Sequence, residues 1–322
     1  MAAVHRVRPL LDLLRVFLIV VLMFVLAPVS APQVPDASPD TAPGTAEPPR
    51  STDGRYGPER RAVLHVFLAV GQSNMSGRGL PLSGTDDRVD PRIFQYGAKL
   101  RTLRPATVPL DMHDNATGMS PASTLAREYL KTQPANVGVL IIPAAHGGTS
   151  FTSAAATLSW SVAGASARKF NLAAMAVAQT LEGMEAARAA GHVVDLKGIL
   201  WHQGENNSSM TTSGYSAELD ELIAFFRSRL AAPKLPFVVG GMAPEGIAAT
   251  PGRVNVDRSH RETPSRVAYT GFAASMAGGV STGDRSHFSR VGVEYLGKTY
   301  LSAYRRAAAN IAKGSVSSRA HP

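Results

Sequence analysis

The chain of 322 residues contains no cysteine. Disulfides, thiolate nucleophiles and Cys-ligated metals are therefore excluded, and an exported protein of this sequence would depend on core burial for its stability. Histidines do not supply a metal site in their place. His113, within Asp111-Met112-His113-Asp114, has no second ligand group at a familiar spacing, so no metal is expected. Internal repeats are absent. So are nucleic-acid-binding motifs: the formal charge of +9 is spread along the chain, with only a modest cluster at Arg305, Arg306, Lys313 and Arg319. That distribution fits a solvated basic surface and gives no reason to expect nucleic acid as a partner.

What is present begins with Arg6 and Arg8, followed by the apolar run Val16–Ala27 and the small residues Val29-Ser30-Ala31. Residues 1–31 have the order of a secretory leader, which is either cleaved or retained as a membrane tether, and a secreted or cell-surface location is expected. They carry Arg6, Arg8 and Arg15 against Asp12, so +9 becomes +7 without them. Residues 32–60 hold Pro32, Pro35, Pro39, Pro43, Pro48, Pro49 and Pro58 among Ser, Thr, Ala and Asp, the composition of a disordered linker. Residues 61–313 are of a size for one domain, with 314–322 as a flexible tail.

Within that domain Leu64–Val70, Val137–Pro143, Leu196–His202, Pro236–Gly240 and Arg266–Phe272 read as buried strands, whose continuous apolar character predicts a parallel sheet. Helical periodicity separates them. Ser120 and Pro121 form a cap and first turn. Phe170, Ala173, Val177, Leu181 and Met184 mark one helical face ended by Gly191. Tyr215, Leu219, Leu222, Phe226 and Leu230 mark another, and Val293, Leu296, Tyr300, Tyr304, Ala307 and Ile311 the last. This alternation predicts an α/β fold, a three-layer α/β/α sandwich around a five-stranded, mainly parallel sheet. The stretches Gly79–Ala116 and Ala243–Pro264 show no clear pattern.

The loops after the strands would share one rim, and several carry chemistry. Ser73, in Gly71-Gln72-Ser73-Asn74-Met75 directly after the first strand, is a candidate nucleophile. A serine needs a base, and the base needs an orienting group; Asp284 three residues before His287 suits both needs. For a developing oxyanion the candidates are the backbone N–H of Ser73, the backbone of Gly118 and the side-chain amide of Gln203. Gly279-Val280-Ser281-Thr282-Gly283 matches a Gly-x-Ser-x-Gly elbow, but lacks the strand before and helix after that such an elbow requires. Gln72, Asn74, His146, Gly148 and His202 on the rim are candidate substrate contacts, and Trp160 is a candidate for stacking on a sugar face.

Three blocks in order carry a resemblance: Gly71-Gln72-Ser73-Asn74-Met75, Ile199-Leu200-Trp201-His202-Gln203-Gly204-Glu205 and Asp284-Arg285-Ser286-His287-Phe288. Together they resemble the sialate O-acetylesterase-type branch of the SGNH hydrolases, over about His65 to Tyr304. The resemblance implies a flavodoxin-like sandwich and a serine-type carbohydrate O-acetylesterase with Ser73 as nucleophile, His287 as base and Asp284 as its acid. It implies Gly118 and Gln203 in the oxyanion hole, an acetylated carbohydrate as substrate, and no cofactor. The Gly-x-Asn-Asp block of the wider superfamily is absent here. Glu205, two residues from Gln203 and on the same side of an extended segment, is a second candidate for the acid. Acyl transfer to a glycan and non-catalytic glycan binding are the alternative expectations.

Overall fold

The computed structural model describes residues 62–83, 89–163, 171–281 and 284–317. The leader and linker expected over residues 1–60 lie outside these, as do Phe170, residues 318–322 of the expected tail and the side chain of Ile311. The described residues contain β1 (Val63–Gly71), α1 (Ser73–Ser76), β2 (Ile93–Tyr96), β3 (Leu103–Pro105), α2 (Pro121–Leu130), β4 (Val137–Pro143) and α3 (Leu172–Ala189). There follow β5 (Val193–His202), α4 (Thr212–Arg229), β6 (Phe237–Gly240), α5 (Pro244–Ala249), α6 (Arg253–Arg266), β7 (Thr270–Ala273) and α7 (Arg290–Ser317).

One sheet of seven strands, in the order β3-β2-β4-β1-β5-β6-β7, runs through the molecule, and only the β2–β3 pairing is antiparallel. The expected count of five strands is thus two too low. The added strands, β2 and β3, are four and three residues long and fall in the stretch 79–116. So few residues cannot display a period, and their pairing with β4 and with each other defines them. The strand expected at Arg266 also begins later, because Arg266 closes α6 with its guanidinium on Asp220 and on the Ser259 carbonyl.

Alternation along β1 divides the core in two. Leu64, Val66, Leu68 and Val70 face a layer formed by α3, α4 and α6, through residues such as Ala176, Tyr215, Leu219, Phe226 and Val256. Phe67 and Ala69 face the other layer, with Leu125 and Tyr129 of α2 and Val293, Leu296, Tyr300 and Tyr304 of α7. This is the three-layer sandwich. Helix starts follow their caps: Ser120 Oγ accepts from Ala122 N at 3.2 Å, Asn171 Oδ1 from Ala174 N at 2.8 Å, and Thr211 Oγ1 from Gly214 N at 3.1 Å. The buried face of α3 is rotated from the expected stripe, so Leu181 is exposed while Ala176, Thr180 and Gly183 pack inward.

The chain moves from β1 to β2 and β4 on one side, then returns to β5 on the other. Such a reversal of strand order opens a crevice beyond the strand C-termini. Loops after β1, β4 and β5 therefore meet at one place. Their closeness depends on Gly71, which has φ of +128° and whose replacement by a residue with a Cβ would set that atom 2.0 Å from the His202 carbonyl oxygen. Gly71→Ala is expected to destabilise the fold by on the order of 3 kcal/mol, through clash and left-sided backbone strain together. Chemical denaturation checks this, and a midpoint equal to that of the parent would contradict it.

Candidate active site

Gln72 leaves β1 with its N–H on the His202 carbonyl at 2.7 Å, and the single turn α1 then buries Ser73 through Ser76. Ser73 Oγ lies 2.8 Å from His287 Nε2, and His287 Nδ1 lies 2.6 Å from Asp284 Oδ2. The other Asp284 oxygen accepts from the backbone N–H groups of Ser286 (2.7 Å) and His287 (2.9 Å), so a tight turn locks the carboxylate to the ring it faces. Burial by itself would raise the Asp284 carboxyl, but these two backbone donors and His287 outweigh it and hold the group below the usual carboxylate range. An ionised Asp284 accepts at Nδ1–H and leaves Nε2 as the acceptor for the Ser73 hydroxyl.

Asp284 and Glu205 both stand near this site, in different roles. Glu205 is 5% exposed, and its Oε1 accepts from Asn74 Nδ2 at 2.7 Å and stands 3.5 Å from His202 Nε2. Among the described residues no hydrogen bond or ion pair joins it to His287, whose Nδ1 faces Asp284, so the geometry does not place Glu205 as the alternative acid. Burial acts to raise its carboxyl, yet hydrogen bonding and charge from His202, with its own backbone N–H and Asn74, bring it to about 2. Asn74 in turn donates to the Ser286 carbonyl at 2.9 Å and accepts from Phe288 N at 3.1 Å.

A cleft of about 460 Å³ opens over Ser73 and His287, bounded by Gln72, Gly147, Gly148, Arg78, Asp114, Glu205, Asn206, Arg253 and Ser286. Gln72 and Gly148 thus stand where substrate contacts were expected. Asn74 and His202 are fully buried behind the cleft, and His146 turns its Nδ1 to the Gly147 carbonyl at 2.7 Å. Trp160 does not offer a stacking face: it is fully buried, donates from Nε1 to Thr149 Oγ1 at 2.9 Å and packs edge-on against Trp201.

The two expected oxyanion donors other than Ser73 are also displaced. Gly118 gives its N–H to the Gly77 carbonyl at 3.2 Å, and its lack of a Cβ serves close packing against Arg78 and Gly79. Gln203 is fully buried; its Nε2 shares two hydrogens among Asn207 Oδ1 (2.7 Å), Gln72 Oε1 (3.0 Å) and the Thr149 carbonyl (3.2 Å). By contrast the N–H groups of Ser73 and Gly148 meet no acceptor among the described residues. Ser281 carries no elbow. The nearest strand ends at Ala273, and the Ser281 N–H closes the triad loop on the His287 carbonyl.

Three charged residues of the cleft, Arg78, Asp114 and Arg253, lay outside the expectations. Arg78 Nη2 pairs with Asp114 Oδ2 at 2.8 Å, and Asp114 also accepts from Ser76 Oγ and from Gly147 N. The pull of burial on Asp114 is upward, but Ser76, Arg78 and Gly147 together lower it, so a fixed ion pair walls one side. Arg253, on α6, donates to Ser286 Oγ at 2.7 Å. Arg78 follows the serine motif immediately, the one signal that could have marked it; Asp114 and Arg253 reach the cleft only through long-range packing.

Acid should loosen this assembly in a defined window. Glu205, at about 2 in the fold against 4.5 when free, contributes stability above 4.5 that is lost as pH falls towards 2. His260, fully buried, is pushed by burial to about 3 from 6.5, so the unfolded chain takes up its proton first and stability falls from 6.5 downwards. Thermal melts from pH 7 to pH 2 should show the midpoint falling throughout. Glu205→Gln should melt lower at pH 7 and lose less between 4.5 and 2; parallel curves for the two proteins would refute this.

No curated protein matches the chain. Among solved structures it is similar to NanS, with 19% identity, a TM-score of 0.61, and coverage of 76% of this chain and 98% of the other. It is also similar to a protein from Arabidopsis thaliana, at 22% identity and a TM-score of 0.59, covering 75% and 98%. A carbohydrate acetylesterase from Xanthomonas citri is similar at 19% identity and a TM-score of 0.50, covering 76% and 56%. At these identities the likeness is one of fold. The family model for "carbohydrate esterase, sialic acid-specific acetylesterase" matches residues 63–306, most of the chain. The chain therefore belongs to that carbohydrate esterase family, and it is an enzyme of the carbohydrate acetylesterase class.

Proposed function

We propose that this chain is an exported serine esterase that removes O-acetyl groups from carbohydrate through an acetyl-enzyme on Ser73. The observation that carries the reading is the continuous line Asp284–His287–Ser73, with contacts of 2.6 and 2.8 Å, ending at the floor of a cleft. His287 Nε2 takes the Ser73 proton as Oγ attacks the acetyl carbonyl, and Asp284 steadies the imidazolium that results. The tetrahedral oxyanion meets the N–H groups of Ser73 and Gly148. On collapse the bond to the sugar oxygen breaks and His287 gives its proton to that oxygen, which leaves as the hydroxyl; water, deprotonated by the same ring, then attacks the acetyl-enzyme, and the proton passes to Ser73 Oγ as acetate is released.

Export rests on the basic-then-apolar order of residues 1–31. Among the described residues no helix is long and apolar enough to cross a membrane. The polar walls of the cleft, with Arg78, Asp114, Asn206 and Arg253, suit a hydroxyl-rich substrate better than an acyl chain.

Ser73→Ala should lower acetate release from acetylated sugars by roughly 10⁴-fold or more. Labelling of the parent protein by a fluorophosphonate should be lost in the same variant. Undiminished release by Ser73→Ala would overturn the assignment, and acetyl transfer to a glycan acceptor without free acetate would replace hydrolysis by transfer. Asp284→Asn should lower kcat more than Glu205→Gln does; the reverse order would move the acid role to Glu205.

A further inference from the structure

Gln72 precedes the nucleophile, lines the cleft and is only 3% exposed. Its Oε1 accepts from Gln203 Nε2 at 3.0 Å and from the backbone N–H of Gly204 at 3.4 Å. A backbone N–H can only donate, so this contact settles which end of the Gln72 amide points inward. Nε2 is then the end turned to the cleft, and it has no acceptor among the described residues. It is also not one of the buried polar atoms left without a partner, which agrees with an amide open to the cleft.

The orientation is enforced from well behind the site. Gln203 points Nε2 at the Thr149 carbonyl, an acceptor only, so its own amide is likewise settled. Gln203 Oε1 accepts from Tyr215 OH at 2.8 Å, and Tyr215 OH stands 3.0 Å from His260 Nε2. Since the single tyrosyl proton goes to Gln203, His260 must be the donor to Tyr215 through Nε2–H. Tyr215, Gln203 and His260 are all fully buried. A chain of directed hydrogen bonds, His260 to Tyr215 to Gln203, and Gln203 to Gln72, thus ends in two N–H bonds beside Ser73.

We propose that the Gln72 side-chain amide is a further oxyanion donor, and that Tyr215 and His260 are positioning residues that hold it in register through Gln203. The inference rests on the serine esterase reading above. It gives the buried polar cluster between β5, α4 and α6 a role in the reaction. A donor aimed at charge that develops only in the transition state acts on kcat and leaves KM little changed.

The test is steady-state acetate release by Gln72→Glu, Tyr215→Phe and the double variant. Gln72→Glu keeps the inward acceptor and removes the donor; kcat should fall roughly 100-fold, the scale of one lost oxyanion donor, with KM nearly constant. Tyr215→Phe should lower kcat by roughly tenfold to 100-fold, as a misplaced catalytic group does. In the Gln72→Glu background the Tyr215 change should cost nothing more, which a merely structural role would not produce. His260→Gln, which retains a donor where Nε2 stands, should keep most of the activity that His260→Leu loses; this pair decides the case if Tyr215→Phe does not fold. An unchanged kcat in Gln72→Glu, or equal Tyr215→Phe losses in both backgrounds, would overturn the inference while Ser73→Ala still abolished activity. Full activity in Ser73→Ala would remove the esterase reading and this inference with it.

Discussion

The site depends on one amide, that of Asn74. Its Nδ2 reaches Glu205 after β5 and the Ser286 carbonyl before α7, and its Oδ1 receives the N–H of Phe288. One side chain, next in sequence to Ser73, thereby ties its own loop to two others, 131 and 212 residues further along the chain. Buried amides of this kind stabilise only when every polar end is met, and here both ends are. This tie draws the loop of Ser73 directly to that of His287, and the 2.8 Å contact between the two side chains lies beside it.

Two carboxylates share the neighbourhood and are kept apart by what surrounds them. Asp284 sits at a partly exposed turn, faces a ring nitrogen and two backbone donors, and can respond to charge on His287. Glu205 lies almost without exposure, held ionised by His202 and Asn74, and sets geometry. A buried charge costs too much to leave unpaired, so its partners become obligatory parts of the fold. The same logic governs the fully buried amides of Gln203 and Asn207 and the phenol of Tyr215.

Much was legible from sequence where local physics decides. The apolar runs at Val137–Pro143 and at Leu196–His202 are strands because such runs have nowhere to go but the interior, and Ser120-Pro121 starts a helix because its cap is local. β2 and β3 were not, since strands of four and three residues owe their existence to neighbours. Trp160 illustrates the same limit: a tryptophan in a polar stretch reads as a surface platform, but Thr149 Oγ1 meets its N–H, Trp201 packs against it in a T-shaped pair, and it is core.

The sequence by itself determined the α/β alternation, the rim position of Ser73, and the local pairing of Asp284 with His287, because a spacing of three residues lets a tight turn join them. Only the tertiary structure decided which carboxylate serves the ring, which of Gly118, Gln203 and Gln72 offers a free donor, and which arginines wall the cleft. Those outcomes are competitions for hydrogen-bond partners among residues far apart in the chain. A donor counts for catalysis only if nothing else in the fold has already claimed it.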